Sequence, residues 1–176
     1  GTLGDAAVAR DFATDHLFEA LRLDPYLRFT AGRHPELADH ILEVLATTAG
    51  TRLALVHGDV SPKNILISRQ DGHPVLLDAE CAWYGDPAFD GAFCLNHLVL
   101  KAVHLPALAG NLREEAAAFA ATWIGHFPFS LQGELEGRAA ALLPCLMLAR
   151  VDGKSPVEYL DAAGRQRVRE IAMPLI

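Results

Sequence analysis

The sequence predicts a mainly helical α+β domain in which helices flank a small β island. Three observations carry that prediction. Apolar residues recur at helical spacing on both sides of the chain's centre, short branched apolar runs cluster between them, and an Asp71-Gly72 turn joins two of those runs. With 176 residues the chain has the length of one domain with a real core, so residues 1–176 are read as a single unit.

Taken in order, residues 5–23 predict a helix with Val8, Phe12, Leu17 and Leu21 on one side, and Pro25 ends it or follows its end. Residues 35–48 predict a second, with Leu37, Ile41, Val44 and Leu45 at helical spacing. Leu53–Val56, Ile65–Ser68 and Val75–Leu77 read as strands, the last two paired as a hairpin. Helix resumes after Pro87. Ala116, Phe119, Ala120, Trp123, Ile124 and Phe127 form one stripe, and Leu135, Ala139, Leu142, Leu143, Leu146 and Met147 form another. Gly153 is placed to close that last helix. Ser155-Pro156-Val157-Glu158 has the pattern of a capping box with proline at the first helical position.

Composition excludes several classes. The net charge is −7 and the only lysines are Lys63, Lys101 and Lys154, so no basic patch for a nucleic-acid polymer is visible. No apolar run has the length of a membrane span and the first residues do not resemble a signal peptide, which predicts a soluble, cytoplasmic protein without a membrane partner. Cys81, Cys94 and Cys145 fit no zinc spacing and are expected to be reduced thiols. The eight histidines include no His-Glu-x-x-His pair.

The chemistry lies at the centre. His57-Gly58-Asp59-Val60-Ser61-Pro62-Lys63-Asn64 is followed by Asp78-Ala79-Glu80 and then by Gly85-Asp86-Pro87-Ala88-Phe89-Asp90. Phosphoryl transfer needs a carboxylate to orient the attacking hydroxyl and oxygen ligands to hold Mg²⁺ on the phosphates. Asp59, Asn64, Asp78 and Glu80 are the right atom types, and turns between short strands can bring them together. Taken singly, each has a plainer reading as a turn, cap or solvated residue.

From His57 to Asp90 the chain resembles the aminoglycoside phosphotransferase and choline-kinase-like family, whose members carry His-Gly-Asp-x-x-x-x-Asn and then Asp-x-Glu. The resemblance implies the C-terminal lobe of a protein-kinase-like fold, with the β-hairpin island carrying the catalytic loop. It implies Asp59 as catalytic base, with Asn64 and Asp78 as Mg²⁺ ligands and Glu80 serving a second metal or its waters. Glu80 stands where protein kinases carry Phe-Gly after the aspartate, which favours small-molecule kinases. The implied co-substrate is ATP or GTP, and the partner a small hydroxylated metabolite or antibiotic. His57, Asp86 and Asp90 are expected to support the catalytic loop, Asp86 in the manner of an N-cap. Lys63 either touches the transferred phosphate or is solvated. Arg150 either pairs with a buried acid, Asp152 being nearest in sequence, or points into the substrate cleft.

In this fold an N-terminal lobe supplies a glycine-containing phosphate loop, a lysine and a glutamate. No lysine precedes Asp59, and Gly1, Gly4, Gly32, Gly50 and Gly58 form no cluster. The nucleotide-gripping lobe is therefore expected to lie outside these residues. The chain is then a piece of a longer phosphotransferase, a lone regulatory lobe, or a lobe completed by another chain. The 176 residues by themselves are expected to be inactive. The acceptor and the oligomeric state are not readable.

Overall fold

The computed structural model describes residues 2–176. They form a mostly helical body with two small antiparallel sheets. After α1 (Ala6–Asp11), which Asp5 caps through its side chain, the chain runs through α2 (Asp15–Phe18), a π-helical stretch (Glu19–Arg28) and α3 (Phe29–Arg33) without a break. Pro25 thus lies inside the helix that it was expected to end or to follow. The wider π register accounts for this. Proline cannot donate to the Leu21 carbonyl, four residues back. In the π register that carbonyl is not proline's partner; it accepts from Arg22 Nη1 at 2.8 Å, and Phe29 N–H reaches back five residues to Asp24.

α4 (Ala38–Gly50) follows and buries Ile41 and Leu45. The β island is two separate ladders. β1 (Ala54–Val56) pairs with β4 (Trp83–Gly85), and β2 (Ile65–Ile67) pairs with β3 (Pro74–Leu76). β4 was not anticipated as a strand. In the β2–β3 turn, Gly72 takes φ +73 and its N–H returns to the Ser68 carbonyl. Leu66, Ile67, Val75, Leu76 and Leu77 are all exposed, so this hairpin carries apolar surface that nothing covers.

α5 (Ala88–His104), α6 (Ala109–Gly125), α7 (Phe129–Asp152) and α8 (Ala162–Ala172) complete the body. α5 and α7 are the buried elements. α6 lies on the outside: Trp123 and Ile124 pack only partly against the core, and no α6 residue is fully buried, so its stripe marks a covering helix. The expected capping box at 155–158 is not formed. Asp161 caps α8 by accepting from Gly164 N–H at 2.7 Å, and residues 153–160 are irregular, held by the Val157 N–H bond to the Arg150 carbonyl. Gly153 does follow α7 directly, in extended conformation. No single helix among the described residues is long and apolar enough to cross a membrane. The three cysteines are free and buried.

An aromatic ladder ties the elements together beneath the β island. Phe18 stacks on Trp83 at 4.1 Å and meets Phe89 edge-on at 4.8 Å; Phe89 stacks on Phe93, and Phe93 meets Tyr26. Each such pair adds about 0.5–1.5 kcal/mol beyond the area it buries. The ladder fixes the π-helical stretch, β4 and α5 relative to one another, and these three elements frame the site.

Candidate active site

Between β1 and β2 the chain makes a loop, residues 57–64, whose shape is set by neighbouring groups. Gly58 has φ +79, and a Cβ there would lie 2.9 Å from the Cys81 Cβ and 3.0 Å from the Cys81 carbonyl oxygen. Only glycine combines that backbone angle with that approach. Asp90, in the first turn of α5, accepts the N–H groups of His57 at 2.7 Å and Gly58 at 2.8 Å. Burial pushes its carboxyl up to about 6, partly offset by those two bonds. Asp59 N–H donates to His57 Nδ1 at 3.2 Å, so that nitrogen is the acceptor and a neutral ring holds its proton on Nε2. His57 Nε2 is buried without a partner.

Asp86 stands behind this loop. Its carboxylate accepts from Ala88 N–H at the start of α5 and from Arg138 Nε on α7 at 2.8 Å. At 1 % side-chain exposure the carboxylate depends on that partner.

Asp59 is buried, and its carboxylate faces two cations, Arg22 Nη2 at 3.2 Å and Lys63 Nζ at 3.4 Å. Arg22 also donates through Nε to the Gly58 carbonyl. It comes from the π-helical stretch, far away in sequence, and it was not among the residues the motif nominated. A lone arginine on a helix gives no local sign of where its head goes.

Asn64 is buried, and its Nδ2 donates to the Asp59 carbonyl at 3.1 Å. That bond leaves the amide oxygen uncommitted to the loop. Leu77 N–H then bonds the Asn64 carbonyl at 2.9 Å, which brings Asp78 beside the loop. Asp78 itself has φ +66, a left-handed conformation that aspartate tolerates better than most residues and that collects at functional sites. Asp78 and Glu80 are exposed.

Asp59, Lys63, Asp78 and Glu80 line one cleft of about 260 Å³, together with Arg22, Tyr26, Phe93, His97, Arg150 and Ser155. Arg150 does not pair with Asp152. Its Nη1 donates to Tyr26 Oη at 3.1 Å and to the Ser155 carbonyl, whereas Asp152 is taken by Arg169 and His34. His97 is pushed down to about 4, by burial first and by the Arg150 charge second, and so is neutral near pH 7.

The donor set suits a hard cation. Asp78, Glu80 and the free oxygen of Asn64 are oxygen donors of the kind Mg²⁺ takes when one or two carboxylates and substrate phosphates share its shell. Among the described residues no three His, Cys, Asp or Glu side chains converge into an all-protein metal cage. A metal here would need oxygens from a second molecule.

A buried carboxylate flanked by cations, with hard oxygen donors on the same cleft, has the groups of a phosphoryl-transfer centre. The model of the phosphotransferase enzyme family matches residues 5–123, more than half of the chain. The chain belongs to that family, which the His57–Asp90 motif resembled, and membership suggests phosphotransferase activity in general. No curated protein matches it.

Proposed function

We propose that the protein transfers the γ-phosphate of ATP or GTP to a hydroxyl of a small molecule, with Asp59 as catalytic base. The observation that carries this reading is the chain of bonds that links Asn64 to the backbone of the loop of Asp59 and to the residue before Asp78, two acids that line one cleft: Asn64 Nδ2 to the Asp59 carbonyl, then Leu77 N–H to the Asn64 carbonyl. The acceptor oxygen attacks the γ-phosphorus, the bond to the bridging β–γ oxygen breaks, and the hydroxyl proton passes to the Asp59 carboxylate. Asn64 and Asp78 would hold Mg²⁺, with Glu80 serving a second ion or its waters. When bound, the metal neutralises phosphate charge. Lys63, exposed and beside Asp59, suits contact with the transferred phosphate. His57, Asp86 and Asp90 act as positioning residues for the loop.

The body is read as the C-terminal lobe of a protein-kinase-like fold, working with a nucleotide-binding lobe outside these residues. The uncovered apolar β2–β3 hairpin supports this, because exposed apolar surface beside a site calls for a partner. A non-catalytic binding lobe is the second reading. Arg22 favours it, since a buried guanidinium on the Asp59 carboxylate competes with an incoming hydroxyl.

The test is a phosphorylation screen of hydroxyl-bearing metabolites and antibiotics with the full-length protein and Mg·ATP or Mg·GTP. A phosphorylated product supports the enzyme. Nucleotide binding without transfer to any acceptor supports the binding lobe.

A further inference from the structure

Charges in the cleft are unevenly spent. Asp59 is occupied by Arg22 and Lys63. The nearby acids outside the cleft are also engaged: Asp24 with Arg28 and Lys154, Asp152 with Arg169 and His34. Arg150 is different. Among the described residues no carboxylate lies within ion-pairing distance of it, and its Nε is buried without any partner. In a chain of net charge −7, a half-buried arginine that lines this cleft and pairs with none of its acids is open to an anion from outside.

The surroundings of Arg150 agree. Its guanidinium lies 5.6 Å from the Tyr26 ring centroid, and Arg22 lies 6.0 Å from the same ring and 5.8 Å from Phe93. The wall made by Tyr26, Phe93, His97, Arg150 and Ser155 carries no carboxylate. All three acids of the cleft, Asp59, Asp78 and Glu80, belong to the loops after β1 and β3. Arg150 and Ser155 also line a second recess with Lys154 and Tyr159, where the one acid is the exposed Glu158. A cationic acceptor would meet an unpaired guanidinium on this wall. An anionic acceptor would complete it. The matched family region ends at residue 123, so Arg150 and Ser155 lie beyond it.

We infer that the acceptor carries an anionic group, a carboxylate in the simplest case, and that Arg150 is the residue that selects it. The anion would pair with Arg150 on the wall of the cleft that carries no carboxylate. This inference rests on the phosphotransferase reading for the word acceptor. The binding it describes can be measured without any transfer.

The experiment is calorimetric binding to the full-length protein, without nucleotide. The probes are 4-(hydroxymethyl)benzoate, 4-(hydroxymethyl)benzamide and 4-(hydroxymethyl)benzylamine, plus the matching acid, amide and amine of two aliphatic hydroxy compounds. Within each skeleton the acid is expected to bind about tenfold or more tightly than the amide and the amine, the size of one charged hydrogen bond. Arg150→Gln should erase that preference, and Arg150→Lys should keep part of it, with thermal melts showing both variants folded. Amines binding as well as acids, or no preference in any skeleton, would overturn the inference. So would a preference that survives Arg150→Gln. If the acid preference holds but no probe or metabolite is ever phosphorylated, the phosphotransferase reading fails and the anion site stands.

Discussion

At the scale of single residues, the loop holding Asp59 is the most constrained part of the molecule. Gly58 has a positive φ and no space for a Cβ against Cys81. Gly58→Ala is expected to destabilise the fold by about 1–3 kcal/mol, read from urea melts, because both the angle and the contact must give. An unchanged midpoint would show that the loop relaxes freely. Two half-buried titratable groups make opposite pH signatures. His97 sits near 4 in the folded chain against an ordinary 6.5, so between those values the unfolded chain binds the extra proton and stability rises with pH. Asp90 sits near 6 against 3.8, so there the folded chain holds the extra proton and stability falls as pH rises. The two slopes oppose each other over the same window. His97→Asn is expected to remove the rising contribution and make the slope between about pH 4 and 6 less positive than the parent's. Denaturation midpoints measured across that range check it, and a profile identical to that of the parent protein would contradict the assignment.

At the scale of elements, local pattern was readable where one face decides. Ile41 and Leu45 marked α4, Asp71-Gly72 marked the hairpin, and Leu135, Ala139, Leu142 and Leu146 marked the buried face of α7. The reading failed where distant groups decide. Pro25 sits inside a π-helical stretch, whose i→i−5 register does not call on its nitrogen for the Leu21 carbonyl, and that carbonyl accepts from the Arg22 side chain. Ser155-Pro156-Val157-Glu158 has the letters of a helix start, but Asp161 takes the cap and Arg150 takes the Ser155 carbonyl. β4 has no local signal in the sequence, because Trp83-Tyr84-Gly85 is too short to show a period and its partner β1 lies across the whole catalytic loop. The β2–β3 hairpin makes its own prediction. Leu76→Lys should leave the stability of the 176-residue chain within about 0.5 kcal/mol, since Leu76 is already half exposed. In the full-length protein the same change should raise the KM for the nucleotide severalfold. An unchanged KM would remove the hairpin from the nucleotide side of the molecule.

At the scale of the whole molecule, an aromatic ladder and two buried helices hold a rigid floor on which the loops after β1 and β3 meet. Most of that meeting place was visible in the sequence, because Asp59, Lys63, Asn64, Asp78 and Glu80 fall within one short stretch. Its other wall was not. Arg22, Tyr26, Phe93, His97 and Ser155 come from helices and a loop whose local patterns say only helix or turn, and Arg150 had two open readings. Folding alone brings them to the cleft. The central claim is that this cleft transfers phosphate through Asp59. It is tested most directly by Asp59→Asn in the full-length protein, assayed for transfer of the labelled γ-phosphate from Mg·ATP or Mg·GTP to the acceptor that the screen identifies. The account predicts a fall in kcat of about a hundredfold or more with nucleotide binding retained and the fold intact. A variant that transfers phosphate at the parent's rate would contradict it.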